Sequence, residues 1–250
     1  MNKPVIYALD FDGVLCDSAV ETAITGWKAA LQLWPDMSPA FPEQRLIDEF
    51  RRVRPIIETG FEAILVMRLL YEGGSSDYIF EHFAEFRPAL IEKSGQSIDG
   101  LKQLFGEIRD AWIHDNLPEW LTYNPLFPGI TEKLRNLENQ GHWFIVTTKQ
   151  ERFVSHILTA NHIFIPGDRI FGLDRNKIKE DILIDLVNYF PDASMHFIED
   201  RLIALLNVQK NPQLKNVKLL LATWGYNTEQ DRDDAARRGI ELLPIENFII

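Results

Sequence analysis

Two aspartates separated by a single residue follow a short apolar run near the start of the chain. Asp10 and Asp12 lie within the sequence DFDGV at residues 10–14. Side chains two residues apart in an extended segment point the same way, so both carboxylates can face one pocket. Gly13 then allows the chain to turn tightly over that pocket. This pair could supply a carboxylate nucleophile and a general acid and base.

Two other interpretations apply to the same residues. An Asp-Gly turn after a strand is common and needs no chemistry. A calcium-binding EF-hand loop would need a third oxygen ligand before its glycine, whereas Gly13 directly follows Asp12. The turn is therefore the alternative that stays open.

Polar residues also end two later apolar runs. Thr147 and Thr148 follow the apolar residues 143–146, and Glu199 and Asp200 end the run at 195–200. Adjacent carboxylates converging with Asp10 would form an oxygen-rich site for a magnesium ion. Taken singly, threonine is favoured in strands anyway, and Asp200 could simply cap a helix.

The elements that must position these residues alternate along the chain. Short apolar runs at 5–9, 143–148, 195–200 and 218–224, with a weaker one at 240–244, predict strands. Helical patterns lie between them, with apolar faces formed by Ile130, Leu134 and Leu137 before a stop at Gly141, and by Ile178, Ile182 and Leu186. This alternation predicts an α/β fold with a doubly wound parallel sheet, whose ligands bind beyond the carboxyl ends of the strands.

A long stretch interrupts this alternation. Residues 18–125 show mainly helical periodicity, so we expect a catalytic core of residues 1–17 and 126–250 with an inserted helical cap domain of residues 18–125. Ser18 and Glu21 have the spacing of a capping box at the start of the insert. An apolar helical face follows it, formed by Ala23, Trp27, Leu31 and Trp34.

The sequence DFDGVLCDS at residues 10–18 resembles the first signature, DxDGVxxDS, of the haloacid dehalogenase superfamily. The resemblance is greatest to its phosphoglycolate phosphatase-like members, whose helical cap follows this signature and whose core is Rossmann-like. It implies that Asp10 is the nucleophile that attacks phosphorus. It also implies that Asp12 protonates the leaving group and then activates water.

The remaining signatures resemble those of the family in the same order. The resemblance implies that Thr147 binds a phosphoryl oxygen, and we place Thr148 and Gly13 in the same substrate-binding group. A lysine near the start of the helix after FGLDRN should pair with the nucleophile, and both Lys177 and Lys179 are candidates.

The fourth signature concerns the metal. The resemblance implies that Asp10, Asp12, Asp200 and Glu199 hold Mg²⁺, with Asp12 contributing its backbone carbonyl. Many relatives carry a second aspartate four residues after the first aspartate of this signature, which is Asp200 here, and this chain has Ala204 at that place. This departure gives Glu199 a larger role.

Composition limits the partners. A formal net charge of −11 without a dense basic stripe predicts that the protein does not bind nucleic acid. A single cysteine, Cys16, and no signal-peptide pattern predict a cytoplasmic protein, and no uncharged run is long enough to cross a bilayer. A buried small hydrophobe is the expected role for that cysteine. The oligomeric state cannot be predicted from the sequence.

The resemblance implies a magnesium-dependent phosphatase acting on a small phosphorylated metabolite through an aspartyl-phosphate. A phosphomutase of the same superfamily is one alternative, since only the phosphoryl acceptor differs. A non-catalytic ligand-binding member of the fold is another. Carbon-halogen cleavage is disfavoured, because dehalogenases of the superfamily generally lack an acid at the position of Asp12. The segment Trp224-Gly225-Tyr226 resembles a pocket-lining stretch, although simple packing explains it equally well.

Overall fold

The computed structural model describes residues 3–38, 40–140 and 143–250. The chain divides into two compact units, which are Met1–Asp17 with Pro125–Ile250, here called the core unit, and Ser18–Asn124, here called the helical unit. Gly141, the expected stop of one helix, lies outside the described residues. No described helix combines the length and the apolar character that crossing a membrane requires.

A parallel sheet forms the centre of the core unit. Its strands in the described residues are β1 (Val5–Leu9), β2 (Trp143–Val146), β3 (Ile170–Phe171), β4 (Ser194–Glu199), β5 (Lys218–Ala222) and β6 (Glu241–Leu243). Their order is β3-β2-β1-β4-β5-β6, and every neighbouring pair is parallel. The predicted doubly wound parallel sheet is therefore confirmed. Strand β3 was not predicted, because two residues are too few to show a periodicity.

The helical unit contains α1 (Ala19–Leu33), α2 (Gln44–Val53), α3 (Glu62–Tyr71), α4 (Ser76–Lys93) and α5 (Ile98–Thr122). Ala23 and Trp27 of the predicted apolar face are fully buried in its hydrophobic core. The backbone of α5 leaves helical geometry at Asn116, with φ −155° and ψ 72°, just before Pro118. Pro118 accounts for a break near this point, because a proline inside a helix lacks an amide donor and its ring clashes with the carbonyl four residues earlier.

The predicted capping box at Ser18 and Glu21 was wrong. Ser18 makes no side-chain cap hydrogen bond. Glu21 instead points inward, where its carboxylate accepts two hydrogen bonds from Arg109, at 2.8 and 2.6 Å, and one from the Trp120 indole at 3.1 Å. A fully buried carboxylate needs a charged partner, and Arg109 supplies one that local sequence spacing does not reveal.

The helices of the core unit are α6 (Ile130–Gln140), α7 (Glu151–Ala160), α8 (Lys179–Tyr189), α9 (Leu202–Lys210), α10 (Glu229–Arg237) and α11 (Ile245–Ile249). All three residues of the apolar face predicted in α6 are buried. In α8, Ile182 and Leu186 are buried as predicted, but Ile178 is 61% exposed. Ile178 is the N-cap residue, so the helix begins at Lys179 rather than before it.

The core unit is continuous across the point where the helical unit is inserted. The amide of Asp17 donates to the carbonyl of Pro125 at 2.8 Å, and the amide of Phe127 donates to the carbonyl of Leu15 at 3.0 Å. These hydrogen bonds join the two segments of chain that flank the insert. The segment after β1 is therefore held in place within the core unit itself.

Candidate active site

The carboxyl ends of β1 and β4 bring the first acidic residues together. Leu9 pairs with Ile198 in the parallel register, and the amide of Asp10 donates to the Ile198 carbonyl at 2.9 Å. Asp10 and Glu199 directly follow this pair, so they lie side by side at the ends of the adjacent strands β1 and β4. Asp10, Glu199 and Asp200 each offer a carboxylate oxygen, and these oxygens lie within 4.8 Å of one another.

Burial makes this group of carboxylates electrostatically costly. Asp10, Glu199 and Asp200 are all buried. The pKa of Asp10 is raised from 3.8 to about 7, mainly by burial and next by repulsion from the charge of Glu199. Burial likewise raises the pKa of Glu199, and Lys179 opposes that shift. The site therefore gains stability from any cation placed among these oxygens.

Lys179 provides a positive charge to this group. Its Nζ lies 2.6 Å from Glu199 Oε2 and 3.0 Å from Asp10 Oδ1. Burial alone would lower the pKa of Lys179, but the charges of Asp10 and Glu199 outweigh it and raise that pKa. Lys179 reaches the carboxylates from the first turn of α8.

The structure does not bring Lys177, the other predicted lysine, to the carboxylates. Its side chain is half exposed, and its Nζ lies 2.7 Å from Asp185 Oδ2 on the outer surface of α8. The physical reason is the helix start: Lys177 precedes the exposed N-cap residue Ile178, whereas Lys179 is the first helical residue. Of the two candidates, Lys179 is the one near Asp10.

Asp12 lies next to the acidic group but has a different partner. Its Oδ1 accepts a hydrogen bond from Lys149 Nζ at 2.9 Å, and the Lys149 side chain is fully buried. The carboxylate of Asp12 is not one of the three that form the cluster in the described structure. Sequence reasoning missed Lys149, although it lies two residues after Thr147 at the same strand end.

The two predicted threonines have different surroundings. Thr147 is buried, its amide donates to the Phe171 carbonyl at 2.9 Å, and its Oγ1 accepts from the amide of Lys149 at 3.1 Å. Thr148 is exposed. Alternation along an extended segment explains the difference, because successive side chains point to opposite sides.

Gly13 lies against Asp200 at the turn after β1. Its φ of +85° is in the left-handed region, and a Cβ at this position would lie 2.0 Å from Asp200 Oδ2. Any side chain here would therefore collide with Asp200. Glycine is required both for the backbone conformation and for this close approach.

Two further residues hold Asp200 from the loop after β5. The amide of Tyr226 donates to Asp200 Oδ2 at 2.7 Å, and the side-chain amide of Asn227 donates to the Asp200 carbonyl at 3.1 Å. Tyr226 also donates its hydroxyl hydrogen to Asp17 Oδ1 at 2.9 Å. The sequence indicated Tyr226 weakly, because Trp224, Gly225 and Tyr226 follow a strand next to β4, but it did not indicate Asn227.

The residues present fit a divalent cation. Three carboxylate oxygens within 4.8 Å of one another are the hard ligands that such ions prefer. Asp10 Oδ1 is buried with the Lys179 ammonium at ion-pair distance, and among the described residues no backbone amide or hydroxyl donates to it. A buried carboxylate oxygen that depends on cations rather than on neutral donors fits a site that a metal ion completes.

Comparisons with known proteins agree with this architecture. No family model and no curated protein sequence matches the chain. Among solved structures, a predicted phosphatase from Clostridium acetobutylicum is 17% identical with a TM-score of 0.57, over 100% of this chain and 97% of that one. A haloacid dehalogenase-like family hydrolase from Streptococcus pneumoniae is 18% identical with a TM-score of 0.54, over 97% of this chain and 93% of that one.

A third solved structure, a predicted phosphoglycolate phosphatase from Haemophilus somnus, is 16% identical with a TM-score of 0.54. It matches over 92% of this chain and 91% of its own. At such low identity the likeness concerns the fold, because one fold hosts several activities. The chain has the fold of the haloacid dehalogenase-like hydrolases, as its sequence signatures predicted.

Proposed function

We propose that this protein is a cytoplasmic, magnesium-dependent phosphatase that hydrolyses a small phosphorylated metabolite through an aspartyl-phosphate at Asp10. The observation that carries the proposal is the buried group of Asp10, Glu199 and Asp200 with Lys179 beside it. Asp12 lies two residues away with a separate lysine partner. A nucleophile and a proton-transfer group therefore occupy different electrostatic environments at one strand end.

The metal ligands follow from the same group. Asp10, Glu199 and Asp200 would hold Mg²⁺ through carboxylate oxygens, and Asp12 through its backbone carbonyl. Bound there, the ion would neutralise part of the charge that a phosphoryl group brings to a buried acidic site. Lys179 adds a second positive charge close to Asp10.

In the first step, a carboxylate oxygen of Asp10 forms a bond to phosphorus while the bond from phosphorus to the ester oxygen breaks. Asp12 gives its proton to that departing oxygen. In the second step, Asp12 takes a proton from water, whose oxygen bonds to phosphorus as the bond to Asp10 breaks. Inorganic phosphate leaves, and both aspartates return to their starting states.

Thr147 would contact the phosphoryl group during both steps. Its Oγ1 already accepts a hydrogen bond from the amide of Lys149. The hydroxyl proton can then be donated to a phosphoryl oxygen, because one hydroxyl both accepts and donates. The backbone turn at Gly13 would lie beside the same oxygens.

The decisive experiment measures phosphate release from p-nitrophenyl phosphate and from a panel of phosphorylated metabolites, with Mg²⁺ or with EDTA. We expect phosphate release only when Mg²⁺ is present, and a rate lower by about a thousandfold or more in Asp10→Asn. Acid-quenched wild type should carry the added mass of one phosphoryl group on Asp10. Asp192→Asn, an exposed carboxylate of the same unit, is the matched control and should turn over normally.

Other outcomes separate the alternatives. A phosphomutase would convert a sugar phosphate to its isomer with little net phosphate. A non-catalytic protein would bind Mg²⁺ and beryllium fluoride yet release no phosphate from any ester. Undiminished turnover by Asp10→Asn would contradict the proposal directly.

A further inference from the structure

A second buried lysine lies at the site without a role in the steps above. The Lys149 side chain has 0% exposure, and its Nζ lies 2.9 Å from Asp12 Oδ1. Removing an ammonium group from water is expensive unless a carboxylate compensates. Asp12, which is 18% exposed, provides that compensation.

The backbone around Lys149 is fixed on both sides of the residue. Its amide donates to Thr147 Oγ1 at 3.1 Å, and its carbonyl accepts from the amide of Leu173 at 3.1 Å. Gly172 permits this approach, since a Cβ there would lie 2.6 Å from the Lys149 carbonyl oxygen. The start of the Lys149 side chain therefore has little freedom.

We propose that Lys149 is a positioning residue for Asp12, an inference that rests on the proposed phosphatase function. By donating a hydrogen bond to Oδ1, Lys149 fixes the plane of the carboxylate. The same hydrogen bond can persist whether Asp12 carries a proton or not, because Oδ1 acts as an acceptor in both states. The transferred proton then enters and leaves at Oδ2.

This arrangement predicts that loss of Lys149 impairs protonation of the leaving group by Asp12 rather than substrate binding. An alkyl alkoxide cannot leave without a proton, whereas p-nitrophenolate can. Misplacing Asp12 should therefore harm alkyl phosphate esters far more than p-nitrophenyl phosphate. Dephosphorylation should also slow for every substrate, because Asp12 must then take a proton from water.

The experiment compares wild type with Lys149→Met on an alkyl phosphate and on p-nitrophenyl phosphate, both with saturating Mg²⁺. For the alkyl ester, kcat/KM should fall about a hundredfold, and for p-nitrophenyl phosphate about tenfold or less. The variant should also show a burst of p-nitrophenolate, since phosphoryl transfer outpaces release of phosphate. Lys218→Met removes a surface lysine whose Nζ lies 2.7 Å from Glu241, and it should leave both rates unchanged.

Two further variants distinguish a role of Lys149 through Asp12 from a loss of activity caused by misfolding. Lys149→Arg keeps the charge and should recover part of the alkyl-ester rate. In the double variant Asp12→Asn with Lys149→Met, both charges are removed together, so no buried ammonium is left unpaired. If Lys149 acts through Asp12, the double variant should be no slower than Asp12→Asn alone.

Equal losses on both esters, appearing mainly in KM, would overturn the inference and assign Lys149 to phosphate binding. The inference would also be overturned if the double variant were slower than Asp12→Asn by the same factor that Lys149→Met produces alone. Both results leave the phosphatase function intact, because wild type remains active. Absence of any phosphate release by wild type would instead remove the proposed function, and this inference with it.

Discussion

Replacing Asp10 by asparagine should stabilise the metal-free protein at neutral and alkaline pH, even though it removes the nucleophile. The pKa of Asp10 is raised from 3.8 to about 7, first by burial and then by the charge of Glu199, against the opposing charge of Lys179. The folded state therefore favours the neutral acid more than the unfolded chain does. Asparagine has nearly the shape of that neutral acid and never ionises.

The magnitude follows from the pKa difference. From 3.8 to about 7 is about 3 pKa units, and each is worth ~1.4 kcal/mol. Because folding raises this pKa, the contribution of Asp10 to stability is complete below about pH 4 and is lost as the pH rises to about 7. Above that pH, Asp10→Asn should exceed wild type by at most about 4 kcal/mol in free energy of unfolding.

Urea unfolding in EDTA at several pH values between about 4 and 8 measures this difference. The advantage of Asp10→Asn should grow by ~1.4 kcal/mol for each pH unit and then level off near pH 7. The control is Asp192→Asn, because Asp192 is exposed and outside the acidic group. Adding Mg²⁺ should stabilise wild type and have much less effect on the variant, which lacks one ligand.

The reasoning fails if Asp10→Asn is no more stable than wild type at pH 8 in EDTA. It also fails if the difference between the two proteins does not change with pH. Either result would mean that the carboxylate of Asp10 is not held in a costly environment. The electrostatic argument for a cation at this position would then be lost.

Four other substitutions test separate parts of the structure. Lys179→Met should lower kcat/KM for p-nitrophenyl phosphate about a hundredfold or more, whereas Lys177→Met should leave it within about twofold, as steady-state kinetics would show. Gly13→Ala forces a Cβ against Asp200 in a left-handed turn, so isothermal titration should find Mg²⁺ affinity about tenfold weaker or worse. Glu21→Gln leaves a buried arginine without its carboxylate and should cost about 3–5 kcal/mol of stability in urea unfolding.

The strands could be predicted because each is a local apolar run. Strands β1, β2, β4 and β5 bury most of their residues, so apolar side chains dominate their sequences. Strand β3 has only two residues, and its place at the sheet edge depends on pairing with β2. Nothing in Ile170 and Phe171 by themselves distinguishes a strand from a loop.

Two of the charged pairs could not be predicted, because their partners are distant in sequence. Lys149 meets Asp12 across 137 residues, and Arg109 meets Glu21 across 88. Local spacing suggested a capping role for Glu21 because serine precedes it by three residues, yet a buried arginine competes more strongly for its carboxylate. The choice between Lys177 and Lys179 was equally hidden, since it depends on where α8 begins.

The two lysines explain how neighbouring aspartates can have different chemistry. Asp10 lies with Glu199 and Lys179 in a largely buried group, where burial and the charge of Glu199 make its carboxylate depend on cations. Asp12 is more exposed and has Lys149 as a partner of its own, outside the cluster of three carboxylates. A group that must accept a phosphoryl needs the first environment, whereas a group that must both give and take a proton needs the second. Asp10 and Asp12 both follow the end of strand β1. Residues at the ends of β2 and β4 and at the start of α8 give the two carboxylates different surroundings.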